Sequence, residues 1–158
     1  MMEETRFVLN EVDVVVKEDP TKRLLDVLRD TFGLISVKEG CGEGECGACA
    51  ILVNGQIMNS CVTPLGNIAG QHLVTMEGFS RTKRYQELKE AFEMAGAVQC
   101  GACTPGMIFA SEALLNSNPT PTEEEIRDGL SGNLCRCTGY NMIVKAIKIA
   151  TERGDHLW

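Results

Sequence analysis

Gly40-Cys41-Gly42-Glu43-Gly44-Glu45-Cys46-Gly47-Ala48-Cys49-Ala50-Ile51-Leu52-Val53-Asn54-Gly55 is the stretch on which the reading of this chain turns. Its first ten residues hold three cysteines and four glycines, and an apolar run ending in Asn-Gly follows at once. Asn-Gly tolerates the two positive φ angles of a type I′ turn, so Ala50–Val53 and Gln56–Met58 are expected to pair as a hairpin. The glycines before it allow close backbone approach and aim amide N–H groups at an anion. With Cys61 as a fourth member the spacing is C-x4-C-x2-C-x11-C, and its first part is the plant-type pattern for a [2Fe–2S] cluster on four thiolates. A structural zinc ion and disulfides are the alternatives. Zinc ordinarily takes two separated C-x2-C knuckles, whereas disulfides belong to oxidising compartments.

Working outward, the first half reads as mixed strand and helix. Phe7, Leu9, Val12, Val14 and Val16 recur at intervals of two around Asn10-Glu11, which predicts a hairpin. Pro20 and Thr21 are expected to open a helix carrying Leu24, Leu25, Val27, Leu28 and Phe32, with Gly33 in the C′ position. A short strand over Leu73–Met76 completes a small α+β sheet domain, residues 1–78. Residues 79–84 are polar and without period, and are read as a linker.

Residues 85–158 read as helices. Tyr85, Leu88, Phe92 and Ala95 fall on one face. Thr104-Pro105 resembles an N-cap with proline in the first turn, leading into Met107–Asn116. Thr122 and Glu125 form a capping box before Ile126–Leu130, and Glu123, Glu124 and Glu125 complement that helix's dipole. Ile143, Val144, Ile147 and Ala150 make a last apolar stripe that Gly154 ends. Four helices of this length suggest a small bundle.

This half carries the other four cysteines, Cys100, Cys103, Cys135 and Cys137, as C-x2-C-x31-C-x1-C. Cys135-Arg136-Cys137 strains chelation of one small ion but suits a two-iron cluster, where that pair could serve one iron from one turn. Both pairs fall near predicted helix N-termini, whose partial positive charge favours thiolates. No histidine belongs to either four, which excludes a Rieske centre.

The whole chain has 158 residues, 44% hydrophobic and 23% charged, which is ordinary for a globular protein and not for a disordered one. A net charge of −7 argues against nucleic-acid binding, which needs a basic face. No apolar run approaches a membrane span, Ala50–Val53 being typical. The N-terminus Met-Met-Glu-Glu-Thr-Arg lacks a signal peptide's apolar core and a twin-arginine motif, so a cytoplasmic location is expected. Eight cysteines in a reducing compartment point to metal ligation.

The blocks GCGEGECGACAILVNG (Gly40–Gly55), GAVQCGACTPG (Gly96–Gly106) and SGNLCRCTGY (Ser131–Tyr140) resemble the small iron–sulfur subunit of the xanthine dehydrogenase family of molybdenum hydroxylases. The resemblance runs from about Phe7 to Glu152 with all eight cysteines in place. Plant ferredoxins carry their fourth cysteine further on; the family uses the shorter spacing found at Cys61. The resemblance implies a β-grasp ferredoxin domain followed by a four-helix domain. One [2Fe–2S] cluster would sit on Cys41, Cys46, Cys49 and Cys61, the other on Cys100, Cys103, Cys135 and Cys137. It further implies a hetero-oligomer with a molybdenum–pterin large subunit and an FAD medium subunit. Electrons would leave molybdenum for the helical-domain cluster, pass to the ferredoxin-domain cluster, and end on flavin. Gln99 and Cys137 would lie near the partner's pterin. The substrate of the complex would be a purine such as xanthine or a related N-heterocycle, with an aldehyde, an aromatic thioester or carbon monoxide as alternatives.

Nothing in the chain points to catalysis of its own: it has no Ser/His/Asp or Cys/His pairing, no phosphate-cradling loop and no G-x-G-x-x-G. His72 and His156 lie apart from every cysteine block and are read as surface residues, as are Glu43 and Glu45. Tyr140 and Met107 are read as core. The competing functions are a two-site zinc adaptor with an acidic surface and a free-standing ferredoxin.

Overall fold

A computed structural model describes residues 1–158. Strands β1 (Glu3–Leu9) and β2 (Val12–Glu18) form the first hairpin, with Asn10 and Glu11 both at positive φ. Strands β3 (Ala50–Val53) and β4 (Gln56–Asn59) form the second, around Asn54 at φ 50° and Gly55 at φ 80°. That is the type I′ geometry Asn-Gly predicts. Strand β5 (His72–Val74) enters between the hairpins, parallel to β1 and antiparallel to β3, giving the order β2-β1-β5-β3-β4. A mixed sheet of this order, with one helix across it, is a β-grasp.

The helix α1 (Leu24–Asp26) starts later than Pro20-Thr21 suggested. Asp19 accepts from the Thr21 N–H at 2.8 Å and from its hydroxyl at 2.6 Å, so these residues make a turn, and Arg23 is still extended. From α1 the chain continues as a π-helical turn, Val27–Thr31, ended by Gly33 at φ 68°. Leu24, Leu25, Val27 and Leu28 are completely buried against Phe7, Leu9, Ile51, Val53 and Leu73. Two 3-10 turns, Ser60–Val62 and Leu65–Ile68, carry the chain under this core.

After β5 come α2 (Met76–Phe79), α3 (Lys83–Ala95), α4 (Thr104–Ser117), α5 (Glu123–Gly129) and α6 (Asn141–Arg153). The expected strand over Leu73–Met76 is cut short because Asn10 Nδ2 donates to the Thr75 hydroxyl at 2.9 Å and its Oδ1 accepts the Thr75 N–H at 2.8 Å. The chain turns there into α2. Leu88, Ala91, Phe92 and Ala95 of α3 share a core with Met107, Phe109 and Leu115 of α4, Ile126 of α5 and Ile143, Ile147 and Ala150 of α6.

The stretch 79–84, read as a linker, connects the halves but is packed against both. Phe79 is buried beside Phe109, with ring centroids 5.5 Å apart. Arg84 Nε donates to the Leu157 carbonyl at 2.7 Å and Nη1 to the buried Glu112 carboxylate at 2.9 Å, which also accepts the Trp158 indole N–H at 2.7 Å. The chain end is thereby tied down, as a buried carboxylate requires charged or N–H partners.

Strand β3 explains how the halves join. All four of its residues are buried, Ile51 and Val53 in the sheet-and-helix core and Leu52 in the helical core. Alternate side chains of one strand thus serve opposite faces. The second half rests on the sheet and brings its cysteine loops to the glycine-rich loop that precedes β3.

Candidate metal centres

The first four cysteines lie on the loop before β3 and on the turn after β4. Gly42, Gly44 and Gly47 take φ of 69°, 79° and 72°, the conformations that let this loop curl around its own sulfurs. The Glu43, Glu45 and Cys46 N–H groups point at Cys41 Sγ at 3.3, 3.4 and 3.4 Å, and the Cys41 N–H at Cys46 Sγ at 3.4 Å. Cys49 Sγ accepts the Cys61 N–H at 3.5 Å. Asn59 ties the turn to the loop through Nδ2 on the Gly44 carbonyl at 2.8 Å. The backbone donors hold the Cys41 thiol down at about 6, whereas burial, then the neighbouring Cys49 thiol, pushes Cys61 up to about 11.

The second four come from the loop before α4 and the loop before α6. Cys103 sits at the N-cap of α4, one residue earlier than Thr104 suggested, because the Thr104 N–H already closes a turn on the Gly101 carbonyl at 3.2 Å. Cys137 Sγ lies 3.6 Å from Cys100 Sγ, and Cys103 pairs with Cys135. The reading of Cys135 and Cys137 as one iron's pair is therefore corrected. Each of these two cysteines meets a cysteine of the other loop. Burial raises the Cys103 thiol to about 12. At Cys135 burial also works upward, but the Thr138 hydroxyl, donating to Sγ at 3.1 Å, and neighbouring N–H groups outweigh it and leave the thiol at about 7.

In both sites the thiols meet two and two. A single tetrahedral ion needs four donors around one centre; two pairs are what a two-iron cluster on four thiolates takes. With thiolate-stabilising N–H groups aimed at the sulfurs, the residues fit a [2Fe–2S] group in each half. Exposure grades across them: Cys49 and Cys61 are buried, Cys41, Cys46, Cys103 and Cys135 half-buried, Cys100 and Cys137 exposed. Gln99 is exposed next to Cys100, and Arg136 is exposed between Cys135 and Cys137. Glu43 and Glu45 are exposed, and neither histidine approaches a cysteine.

Three residues around the second site carry hydrogen bonds that no pattern in the sequence marks. Tyr140 is not only core: its hydroxyl donates to the Asn133 carbonyl at 3.1 Å and accepts the Cys135 N–H at 3.0 Å. It holds this position at φ 69°, unusual for a bulky side chain. Thr138 holds Cys135 Sγ as described. Asn133, buried to 5% exposure, directs its amide to the Gly47 carbonyl at 3.4 Å in the first site's loop. Their presence inside the SGNLCRCTGY block was the only signal available.

The profile of the 2Fe-2S iron-sulfur cluster binding domain matches residues 7–72, and that of the [2Fe-2S] binding domain residues 75–148. The nicotinate dehydrogenase small FeS subunit of Eubacterium barkeri is 53% identical over 135 residues, covering 85% of this chain and 86% of that protein. The xanthine dehydrogenase iron-sulfur-binding subunit of Escherichia coli O157:H7 is 46% identical over 131 residues, 81% of each. Among solved structures, a chain of quinoline 2-oxidoreductase from Pseudomonas putida 86 superposes with a TM-score of 0.89 at 38% identity, covering 96% of this chain and 94% of that one. Aldehyde oxidoreductase from Desulfovibrio gigas matches 98% of this chain at a TM-score of 0.89 and 34% identity, but this corresponds to 17% of its own longer chain.

Proposed function

Because the chain belongs to the xanthine dehydrogenase family of molybdenum hydroxylases, as a small subunit with two [2Fe–2S] domains and an electron-transfer role, we propose that it relays electrons from a molybdenum–pterin large subunit toward FAD on a medium subunit. Each [2Fe–2S] group, when bound, takes up and gives off one electron. Cys100, Cys103, Cys135 and Cys137 hold the entry group, and Cys41, Cys46, Cys49 and Cys61 the exit group. The observation that carries this reading is the graded exposure of the helical site. Its Cys100 and Cys137 thiols reach the surface beside Gln99, a face on which a partner's cofactor can approach, while Cys103 and Cys135 face inward. Cys137 and Gln99 are the residues we place next to the pterin.

The chain's own residues hold, shield and orient; none performs substrate chemistry. Thr138 and the amides of the Gly40–Cys49 loop stabilise thiolate charge, and burial of Cys49 and Cys61 keeps water from that end. The substrate favoured is an N-heterocycle, purine or pyridine in type, since relatives at 46% and 53% identity are named for xanthine and nicotinate. No helix is long and apolar enough to cross a membrane, and we place the complex in the cytoplasm.

The test is purification of the chain from its native source. The reading expects co-purifying chains that hold molybdenum and flavin, and appearance of reduced [2Fe–2S] EPR signals when an N-heterocyclic substrate is added. A chain that runs alone with iron would be a free-standing ferredoxin. A colourless chain with stoichiometric zinc would be a zinc adaptor.

A further inference from the structure

One backbone hydrogen bond joins the two cysteine loops directly. The Leu134 N–H donates to the Cys46 carbonyl at 2.9 Å. Cys46 is a ligand candidate of the first site, and Leu134 is bonded through its own peptide to Cys135, a ligand candidate of the second. One hydrogen bond therefore closes a continuous path from one thiolate to the other, and a cavity of about 230 Å³ opens beside it, lined by Cys46, Cys100, Cys103, Leu134 and Cys135 among others. The contact is held shut by an interlock. Gly106, in the first turn of α4, lies so close to the Gly47 carbonyl that a Cβ there would clash with its oxygen, and would sit 3.1 Å from Asn133 Nδ2. A Cβ on Gly47 would in turn meet the Gly132 carbonyl at 2.6 Å, besides being strained at φ 72°. Asn133 fills the remaining space and donates to Gly47. Two glycines and a buried asparagine thus permit a closeness that no side chain at either glycine would allow.

We propose that the Cys46 carbonyl–Leu134 amide hydrogen bond is the bridge that couples the two iron–sulfur sites electronically, and that Gly47, Gly106 and Asn133 are positioning residues that keep it closed. The inference rests on the electron-relay reading above. In the step concerned one electron leaves the reduced helical-half group, which is oxidised by one, and enters the oxidised ferredoxin-half group, which is reduced by one. No proton moves and no covalent bond changes.

The experiment uses the cluster-loaded complex reduced with dithionite, in the parent and in G106A. Three quantities are read: iron per chain, hydrogen exchange of the peptide containing Leu134, and the spin–spin splitting of the EPR signals when both groups are reduced. The bridge predicts unchanged iron, faster exchange at Leu134 and a diminished splitting in G106A. T122A, which weakens α5 away from the interlock, should leave exchange and splitting as in the parent. Should G106A fail to load its clusters, N133A removes only the side-chain amide and is expected to move exchange and splitting the same way by less. Faster exchange with an undiminished splitting overturns the bridge. Unchanged exchange in the loaded variant overturns the positioning role. Absence of iron from the parent itself would instead overturn the electron-relay reading.

Discussion

Removal of a single oxygen at Tyr140 isolates what holds the inner edge of the helical site. Tyr140→Phe keeps the ring and the backbone at φ 69°, and deletes a hydroxyl that donates to Asn133 at 3.1 Å and accepts from Cys135 at 3.0 Å. Each neutral hydrogen bond is worth about 0.5–1.5 kcal/mol net, so the pair contributes about 1–3 kcal/mol. Asn133 is only 5% exposed and water does not readily replace the lost donor, which places the expectation in the upper half of that range. With a urea slope of about 2 kcal/mol/M for a domain of this size, the unfolding midpoint should fall by about 1 M. The assay is anaerobic urea unfolding of the loaded protein followed by far-UV circular dichroism, parent against variant at one pH. The slope should stay the same, because the surface exposed on unfolding does not change. A midpoint within about 0.2 M of the parent's would refute the claim that the hydroxyl bears this load.

Three further outcomes are expected. Cys49→Ser should remove the ferredoxin-half cluster and leave the helical-half one, so iron falls to about half and one EPR species survives; loss of both together would refute the separation of the two fours. Glu77→Gln should destabilise the protein at neutral pH. Burial raises the Glu77 carboxyl, but hydrogen bonds from the Ser36 hydroxyl and N–H and from Thr75 outweigh it and hold the group below its ordinary value. A depressed carboxylate stabilises above its unfolded value of about 4.3 and loses that effect as pH falls through the folded value. The gap between parent and variant midpoints should therefore be level from pH 7 to about pH 5 and close below about pH 4; a gap that widens in acid contradicts the assignment. Thr122→Ala should cost about 1 kcal/mol by opening the capping box with Glu125, read as a lowered unfolding midpoint.

What was legible beforehand divides along physical lines. Both hairpins follow from local rules, since alternation about Asn10-Glu11 and the Asn54-Gly55 turn fix strand pairing within a few residues. The Thr122–Glu125 cap is equally local. The π-helical turn at Val27–Thr31 was hidden because its buried positions, Val27 and Leu28, satisfy an α-helical stripe as well. Burial of β3 on both faces was hidden because Leu52 faces a core assembled from residues far along the chain. The membership of each cysteine four is a matter of spacing. Which cysteine meets which is not, since Cys100 finds Cys137 and Cys103 finds Cys135 only after two loops separated by α4 and α5 are brought together. Tyr140 and Asn133 act through a hydroxyl and a buried amide on backbone groups, and no hydrophobic pattern reports such contacts.

The central claim is that each half carries one [2Fe–2S] group on its own four cysteines. Iron, zinc and acid-labile sulfide per chain, measured alongside EPR of the dithionite-reduced protein, test it most directly. The account predicts about four iron and about four sulfide per chain with two distinct [2Fe–2S] signals; stoichiometric zinc without sulfide, or a single EPR species, would contradict it.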